Sequence, residues 1–349
     1  MGIFTLERDR REGGEAADIL TRTRGLVDPA LRAAVEKLPT AMRRVAGYHF
    51  GWWEPDGSPA TADPGKAIRP ALVLAATHAL GGRPADAVAA AAAVELIHNF
   101  TLLHDDVIDR DGTRRHRPTA WRVFGTTEAI LAGDAMHSLA LRTLAQDTHP
   151  AAQAAIRRLT DCVVELCEGQ QADCAFEQRG DVTLAECLAM AEAKTGALLG
   201  CACALGALYA GAGEEAARAM DAFGRQIGLA FQLIDDLIGI WGDPAVTGKP
   251  VGADLAARKK SLPVVAALGS GTSDGAVLAG LYALERRLTP QELVRCASAV
   301  EGAGGRGWAQ SESCERMAEA IAHLADAVPE PSAADELLAL AELVTRRSH

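Results

Sequence analysis

Three aspartates stand close together in the stretch LLHDDVIDRD, at positions 105, 106 and 109. Residues three and four apart share one side of a helix, so Asp105 and Asp106 both come near Asp109. Carboxylates that close repel one another unless a cation lies among them. Magnesium takes a few carboxylate oxygens together with water and phosphate oxygens, so the spacing suits a metal site that bridges to a diphosphate. The ordinary alternative is a solvated acidic helix end. Against it, His98, Phe100, Leu102, Leu103, Val107 and Ile108 make the segment largely apolar, which aims the charges at a cavity. A second cluster, FQLIDDLIGIWGD, brings Asp235 and Asp236 to the end of another apolar run. Its third position is Gly239, and Asp243 lies too far along to replace the missing carboxylate unless the helix continues through Gly242.

A diphosphate held by magnesium needs donors for its remaining oxygens, which arginine meets with a rigid fork and lysine with a point charge. Three segments offer them: Lys66 and Arg69 in PGKAIRP, Arg114 and Arg115 after the first acidic cluster, and Lys249, Lys259 and Lys260 after the second. Scattered basic residues usually only solubilise. These lie beside the helix ends that carry the acids.

The elements that must position these groups read as helices. Alanine- and leucine-rich stretches alternate with short Gly/Pro breaks, and alternating Val/Ile/Thr runs are almost absent, so the fold class is all-α. Expected helices cover Asp28–Arg44, Arg69–Leu80, Ala85–Asp109, Thr126–Gln146, Ala151–Glu177, Leu184–Ala210, Glu214–Trp241, Ser261–Leu268 and Pro290–Val300. No break is long enough for an interdomain linker. The expectation is a polar N-terminal tail over 1–25 and one helical domain over 26–349, with a marginal segment after Pro329.

Composition narrows the function. Hydrophobic residues make up 49% and charged residues 23%, ample for a sizeable core. A net charge of -11 and the lack of any Lys/Arg run argue against binding nucleic acid. Eight cysteines include no C-x-x-C pair and read as small apolar core residues of a reducing compartment. Acidic residues near the N-terminus leave no secretory h-region, so a cytoplasmic location is expected. Gly196–Gly213 is uncharged and long enough to approach a membrane span, but its Gly/Ala content fits a helix buried in a bundle, so no span is expected.

Taken together, GKAIRP, ELIHNFTLLHDDVID, RR, GQQAD, KT, FQLIDDL, GDPAVTGK and DLAARKKSLP, in that order from Lys66 to Pro263, resemble the trans-isoprenyl diphosphate synthases, or polyprenyl synthetases. The resemblance implies the isoprenoid synthase fold, a single-domain antiparallel helix bundle around a deep central cavity, usually a homodimer. It implies condensation of an allylic diphosphate with isopentenyl diphosphate into a longer all-trans isoprenyl diphosphate.

Residue by residue, Asp105, Asp106, Asp109, Asp235 and Asp236 match the two aspartate motifs that hold three magnesium ions on the allylic diphosphate. Arg114, Lys194, Lys249 and Lys259 match residues contacting that diphosphate. Lys66, Arg69, His98 and Arg115 match the isopentenyl diphosphate pocket. Gln170 and Asp173, with Asp173 also a metal-side residue, match a helix facing the metals, and Thr195 and Gln232 match polar groups facing the reacting carbons. Phe100, with small Thr101 beside it, stands where a bulky residue floors the product cavity, which favours a geranylgeranyl over a farnesyl product. Gly239 departs from the family pattern and implies a higher magnesium requirement, and RRHRP replaces the commoner RRG. Two further readings stay open: a class I terpene cyclase, which needs no isopentenyl diphosphate pocket, and a non-catalytic subunit of a heteromeric synthase. A packaging role for the N-terminal segment is a minor option beside a disordered terminus.

Overall fold

Helices dominate, as alanine, leucine and glutamate in long runs dictate. The computed structural model describes residues 2–60, 62, 63, 65–243 and 251–345. In chain order they include α1 (Gly2–Val35), α2 (Thr40–His49), α3 (Ile68–Ala79), α4 (Val88–Ile108), α5 (Ala120–Phe124) and α6 (Thr126–Ala145). Next come α7 (Ala152–Glu177), α8 (Leu184–Ala191), a π-helical turn at Glu192–Gly196, α9 (Ala197–Tyr209) and α10 (Glu214–Trp241). The chain continues through α11 (Ala253–Ala256), α12 (Leu262–Leu268), α13 (Ser273–Tyr282), α14 (Pro290–Gly302), α15 (Gly305–Ala327) and α16 (Asp335–Thr345). The only strands among the described residues are β1 (Thr113–Arg114) and β2 (Arg117–Pro118), paired as an antiparallel hairpin.

Contacts divide the chain into two compact units. The first comprises Met1–Val163, Cys201–Asp221 and Ala325–Leu340. Its centre is α4, whose Ala90, Ala91, Ala92 and Ala93 are fully buried and let neighbouring helices approach closely. Gly133 on α6 makes room for the ring of His104, whose Nε2 sits 3.0 Å from the Ile130 carbonyl; a Cβ at Gly133 would fall 2.5 Å from His104 Cδ2. That contact fixes the last turns of α4, where the first acidic cluster lies.

The second unit comprises Val164–Gly200, Ala222–Leu324 and Ala341–His349. Small residues set its spacing too. A Cβ on Gly169 of α7 would come 2.5 Å from the Lys194 backbone nitrogen, and one on Gly228 of α10 would come 2.6 Å from Gly196 Cα. Leu229, Leu233, Leu262 and Val265 pack with Cys187 and Ala191 into one buried cluster. A second cluster joins Ile240, Leu255 and Val264 to Leu278 and Val300.

Several sequence expectations need correction. Asp28–Arg44 is not one helix: α1 ends at Val35, Pro39 precedes α2, and the chain turns between them. Nor does a helix begin at Asp28. In the structure Pro29 lies inside α1, which runs back to Gly2 and takes in the stretch read as a polar tail; Ala16, Ile19 and Thr23 on it are buried. Beyond Gly304 the chain forms α15 and α16, and α16 buries Leu337, Leu340 and Val344 instead of forming a marginal segment. Among the described residues two helices, Pro84–Ile108 and Leu184–Tyr209, are long and apolar enough to cross a membrane. Their apolar windows are 67% and 72% buried within the protein, the environment expected of core helices.

Candidate active site

In the first unit the acidic cluster occupies the C-terminal turn of α4, where unpaired carbonyls already carry partial negative charge and more carboxylates are unfavourable without cations. Asp106 is 1% exposed, and Arg114 on β1 directs Nε and Nη2 to its Oδ1, each at 2.8 Å. Its Oδ2 is buried without a hydrogen-bond partner. Burial pushes the Asp106 carboxyl up to about 6 against the pull of Arg114. Asp105 is half-buried and Asp109 exposed.

The hairpin's register, Arg114 opposite Arg117, leaves Arg115 and His116 as a two-residue turn. Both have positive φ, 49° and 61°, the pattern of a turn that ordinarily takes Asn-Gly. Such strain in residues with side chains is concentrated at functional sites. Here it seats the Arg115 guanidinium against Gly65, itself at φ 89°, where an added Cβ would lie 2.5 Å from Nη2.

Nearby, Arg69 Nη1 lies 3.2 Å from His98 Nε2. Arginine can only donate, so Nε2 accepts and the imidazole proton is on Nδ1. Burial first, then Arg69 and Arg115, hold His98 well below its usual range. The same combination of burial, Arg115 and Arg114 brings His49 down to about 3. Arg69 Nε, Arg115 Nη1 and His49 Nε2 are buried without partners. A cavity of about 30 Å³ is lined by His49, Asp106, Arg114, Arg115 and Arg117, among others. Lys66 is exposed. Glu95, 6% exposed, bonds Asn99 Nδ2 at 2.9 Å and lies in the field of Arg69, Arg115 and Arg24.

Two neutral imidazoles among arginines make stability depend on pH. The unfolded chain protonates them near 6.5 and the folded protein resists, so folding is favoured most above 6.5 and loses ground as pH falls from there. Each such group contributes a slope of up to about 1.4 kcal/mol per pH unit. His49→Gln is expected to flatten the decline in urea-unfolding free energy between pH 7 and 5.5; a parallel, merely offset curve would show that His49 is not held neutral.

In the second unit the π-helical turn Glu192–Gly196 displaces Lys194 and Thr195 from regular helical register, a device common at functional sites. Lys194 Nζ reaches Asp173 Oδ2 on α7 at 2.5 Å. A chain of polar contacts follows: Thr195 Oγ1 donates to Gln232 Oε1 at 2.8 Å, and Gln232 Nε2 to Asp236 Oδ1 at 2.9 Å. Asp236, 2% exposed, also accepts from Lys259 Nζ at 3.2 Å and from the Leu262 N–H at 2.8 Å. Asp235, by contrast, is exposed. The attraction of Asp236, exceeding the opposing effect of burial and aided by Asp254, Asp235 and Asp173, holds Lys259 firmly charged.

The structure thus gathers Asp105, Asp106, Asp109 and Arg114 at the α4 end and its hairpin, and Arg69, His98 and Arg115 into a cationic pocket. In the second unit it links Lys194 to Asp173, and Thr195 through Gln232 and Asp236 to Lys259. Lys249 lies outside the described residues. Lys260 stacks over the Tyr282 ring at 5.3 Å. Gln170 turns Nε2 to Cys174 Sγ at 3.6 Å, with its Oε1 buried and unpartnered. Phe100 packs edge-on to His104, centroids 4.8 Å apart, and against His137 at 5.4 Å. Sequence reasoning missed His49, Glu95 and Asp254. Glu95 had a signal, an acid within an alanine run one turn before His98 and Asn99; Asp254 opens the matched segment DLAARKKSLP, and His49 had none.

Among the described residues, no three His, Cys, Asp or Glu side chains converge as a ready-made metal site. The donor set still fits magnesium: it is all carboxylate oxygen, and Asp106 Oδ2 is an orphaned acceptor.

The sequence model described as polyprenyl synthetase matches residues 58–300. The chain is 50% identical over 351 residues to a geranylgeranyl diphosphate synthase of Mycobacterium tuberculosis, covering 99% of each chain. It is 47% identical over 326 residues to a (2E,6E)-farnesyl diphosphate synthase of Mycobacterium bovis, covering 92% of this chain and 90% of that one. The crystal structure of a polyprenyl synthetase from Streptomyces coelicolor A3(2) is similar with a TM-score of 0.89 and 45% identity, over 94% of this chain and 98% of that one.

Proposed function

The chain belongs to the polyprenyl synthetase family, and we propose that its two sets of polar residues divide the two substrates of one condensation between them. It is a prenyltransferase that joins an allylic diphosphate to isopentenyl diphosphate and releases a longer isoprenyl diphosphate. The product we assign is geranylgeranyl diphosphate, and residues 26–349 act as one catalytic domain.

Arg69, His98, Arg115 and Lys66 bind the diphosphate of isopentenyl diphosphate. The observation that carries this reading is the pair of buried, unpartnered guanidinium nitrogens, Arg69 Nε and Arg115 Nη1, which an anion would satisfy. Nδ1–H of His98 remains as a further donor. Asp105, Asp106 and Asp109 are the magnesium-holding carboxylates assigned to the first acidic motif, and Asp235 with Asp173 those assigned to the second; magnesium held by such carboxylates would supply positive charge to a departing diphosphate. Arg114, Lys194 and Lys259 are assigned as donors to diphosphate oxygens, on which negative charge grows as an allylic carbon–oxygen bond breaks. Thr195, whose proton goes to Gln232, presents its oxygen lone pairs toward the allylic cation. The terminal alkene carbon of isopentenyl diphosphate then bonds to the allylic carbon. The bond leaves positive charge on C3 of isopentenyl diphosphate; C2, beside it, gives a proton to the released diphosphate, and a new C2–C3 double bond forms.

Asp236 is reassigned in this scheme. Three donors occupy its oxygens, so it positions Lys259 and Gln232, and Asp235 is the metal-side carboxylate. A cyclase has no use for the cationic pocket, and the relatives' names are those of synthases. The magnesium dependence, a homodimer, a cytoplasmic setting and the absence of a membrane span belong to the same proposal.

The test is incubation of the pure protein with magnesium, isopentenyl diphosphate and each allylic starter, with products identified by mass. A neutral hydrocarbon formed without isopentenyl diphosphate would establish a cyclase instead. Product length is expected to answer to Phe100, wedged between His104 and His137 one turn before Asp105. Phe100→Ala should lengthen the product by at least one five-carbon unit; an unchanged product distribution would remove Phe100 from the floor of the cavity.

A further inference from the structure

Arg117, the last arginine of RRHRP, has no part in the scheme above and yet is held at three points. Its Nη2 donates to the Trp53 carbonyl at 3.2 Å and to Glu54 Oε2 at 3.1 Å. Its Cζ lies 4.3 Å from the centre of the Tyr48 ring, close enough for a cation–π contact. Tyr48, 5% exposed, donates its hydroxyl to the Pro118 carbonyl at 2.8 Å. Both residues of β2 are thus fastened to the end of α2 and the segment after it. That support is itself well seated. The N–H groups of Trp52 and Trp53 both donate to the Gly47 carbonyl, and a Cβ on Gly47 would fall 2.7 Å from Cδ2 of the Trp53 ring that packs there.

Across the hairpin Arg117 pairs with Arg114, so the fastened strand is the one that closes the turn at Arg115 and His116. Both turn residues have positive φ, where a side chain is strained and glycine is not. Neither is the glycine or asparagine that favours such a turn, so its support must come from outside. Arg114 needs no such support, because its Nε and Nη2 hold it to Asp106 Oδ1 independently.

Resting on the reading of Arg115 as a ligand of isopentenyl diphosphate, we propose that Arg117 and Tyr48 are positioning residues for Arg115. Their hold on β2 keeps the strained turn closed and so fixes where the Arg115 guanidinium points. The rival is direct contact, an anion on Arg117 Nη1, which is buried without a partner at the cavity that Arg115 also lines.

The test is steady-state kinetics on the folded fraction of each variant. Arg117→Ala is expected to raise KM for isopentenyl diphosphate about tenfold, with turnover and the allylic KM within about threefold of the parent. Tyr48→Phe loses only the hydroxyl and should raise the same KM about threefold, the measure of one neutral hydrogen bond. The distinguishing variant is the double one, R117A/H116G. Glycine takes the turn's conformation unaided, so this variant should return KM for isopentenyl diphosphate to within about threefold of the parent. If R117A leaves that KM unchanged, raises both KM values together, or is not rescued by H116G, the proposal is overturned. A silent Tyr48→Phe beside an unrescued R117A assigns Nη1 to the anion instead. Where R117A fails to fold, Tyr48→Phe, alone and with H116G, decides the question by the same KM. Arg115→Ala separates the two levels: an unchanged KM for isopentenyl diphosphate in R115A refutes the pocket, whereas a raised one beside a normal R117A refutes only the positioning role.

Discussion

Alanine at position 236 lowers the stability of the protein by about 3–5 kcal/mol, the usual consequence of removing one member of a buried ion pair, and lowers turnover by about a hundred- to a thousandfold. Both effects follow from one carboxylate with three donors. Without Asp236, the Leu262 N–H loses its acceptor at the start of α12, the Gln232 amide loses its anchor, and Lys259 is drawn toward Asp254 alone. Gln232 then no longer fixes the Thr195 hydroxyl, so Asp236 acts on that hydroxyl through Gln232 without touching it. Urea unfolding and steady-state kinetics on the folded fraction measure the two quantities. Asp236→Asn separates them, because the amide oxygen still accepts from Leu262 while the charge facing Lys259 is gone. The asparagine variant should recover most of the stability and little of the turnover. Equal recovery of both would make Asp236 a structural residue only.

How much of this was legible beforehand depended on the range of the interaction. Both acidic clusters and their basic neighbours were visible because their spacing is local: a helix fixes the relation of Asp105 to Asp109 whatever else the chain does. The all-α class was legible for the same reason, and α10 was predicted with its observed bounds, Glu214–Trp241. The failures were long-range. Nothing near Gly239 announces that Asp254 fills its space. The sequence RRHRP carries no turn signal, because Arg115 and His116 adopt positive φ without glycine or asparagine, and only packing, of Arg115 on Gly65 and of Arg117 on Tyr48, accounts for it. Propensity also misled at both ends of the chain. A glycine-rich start hid α15, whose buried Ala309, Ala320 and Leu324 still recur at helical intervals, and the start expected at Asp28 falls inside a helix that tertiary contacts sustain.

Arginine 115 offers the sharpest test of substrate division. Arg115→Ala is expected to raise KM for isopentenyl diphosphate by about thirtyfold to several thousandfold, the range for losing a desolvated charged contact worth about 2–5 kcal/mol. KM for the allylic substrate should stay within about threefold, because the Arg114–Asp106 pair is made by the adjacent residue and survives the change. Glu95 amplifies the first effect. Its buried carboxylate is already raised by desolvation and held down partly by Arg69 and Arg115; losing one of the two favours the protonated acid and weakens the field that orients Arg69. Arg115→Lys restores the charge without the fork and should recover only part of the loss. A general distortion of the strained hairpin predicts otherwise: both KM values would rise together, and lysine would be no better than alanine. An enzyme acting on a single diphosphate would show no dependence on isopentenyl diphosphate at all, so this one substitution distinguishes a two-substrate condensation from both alternatives.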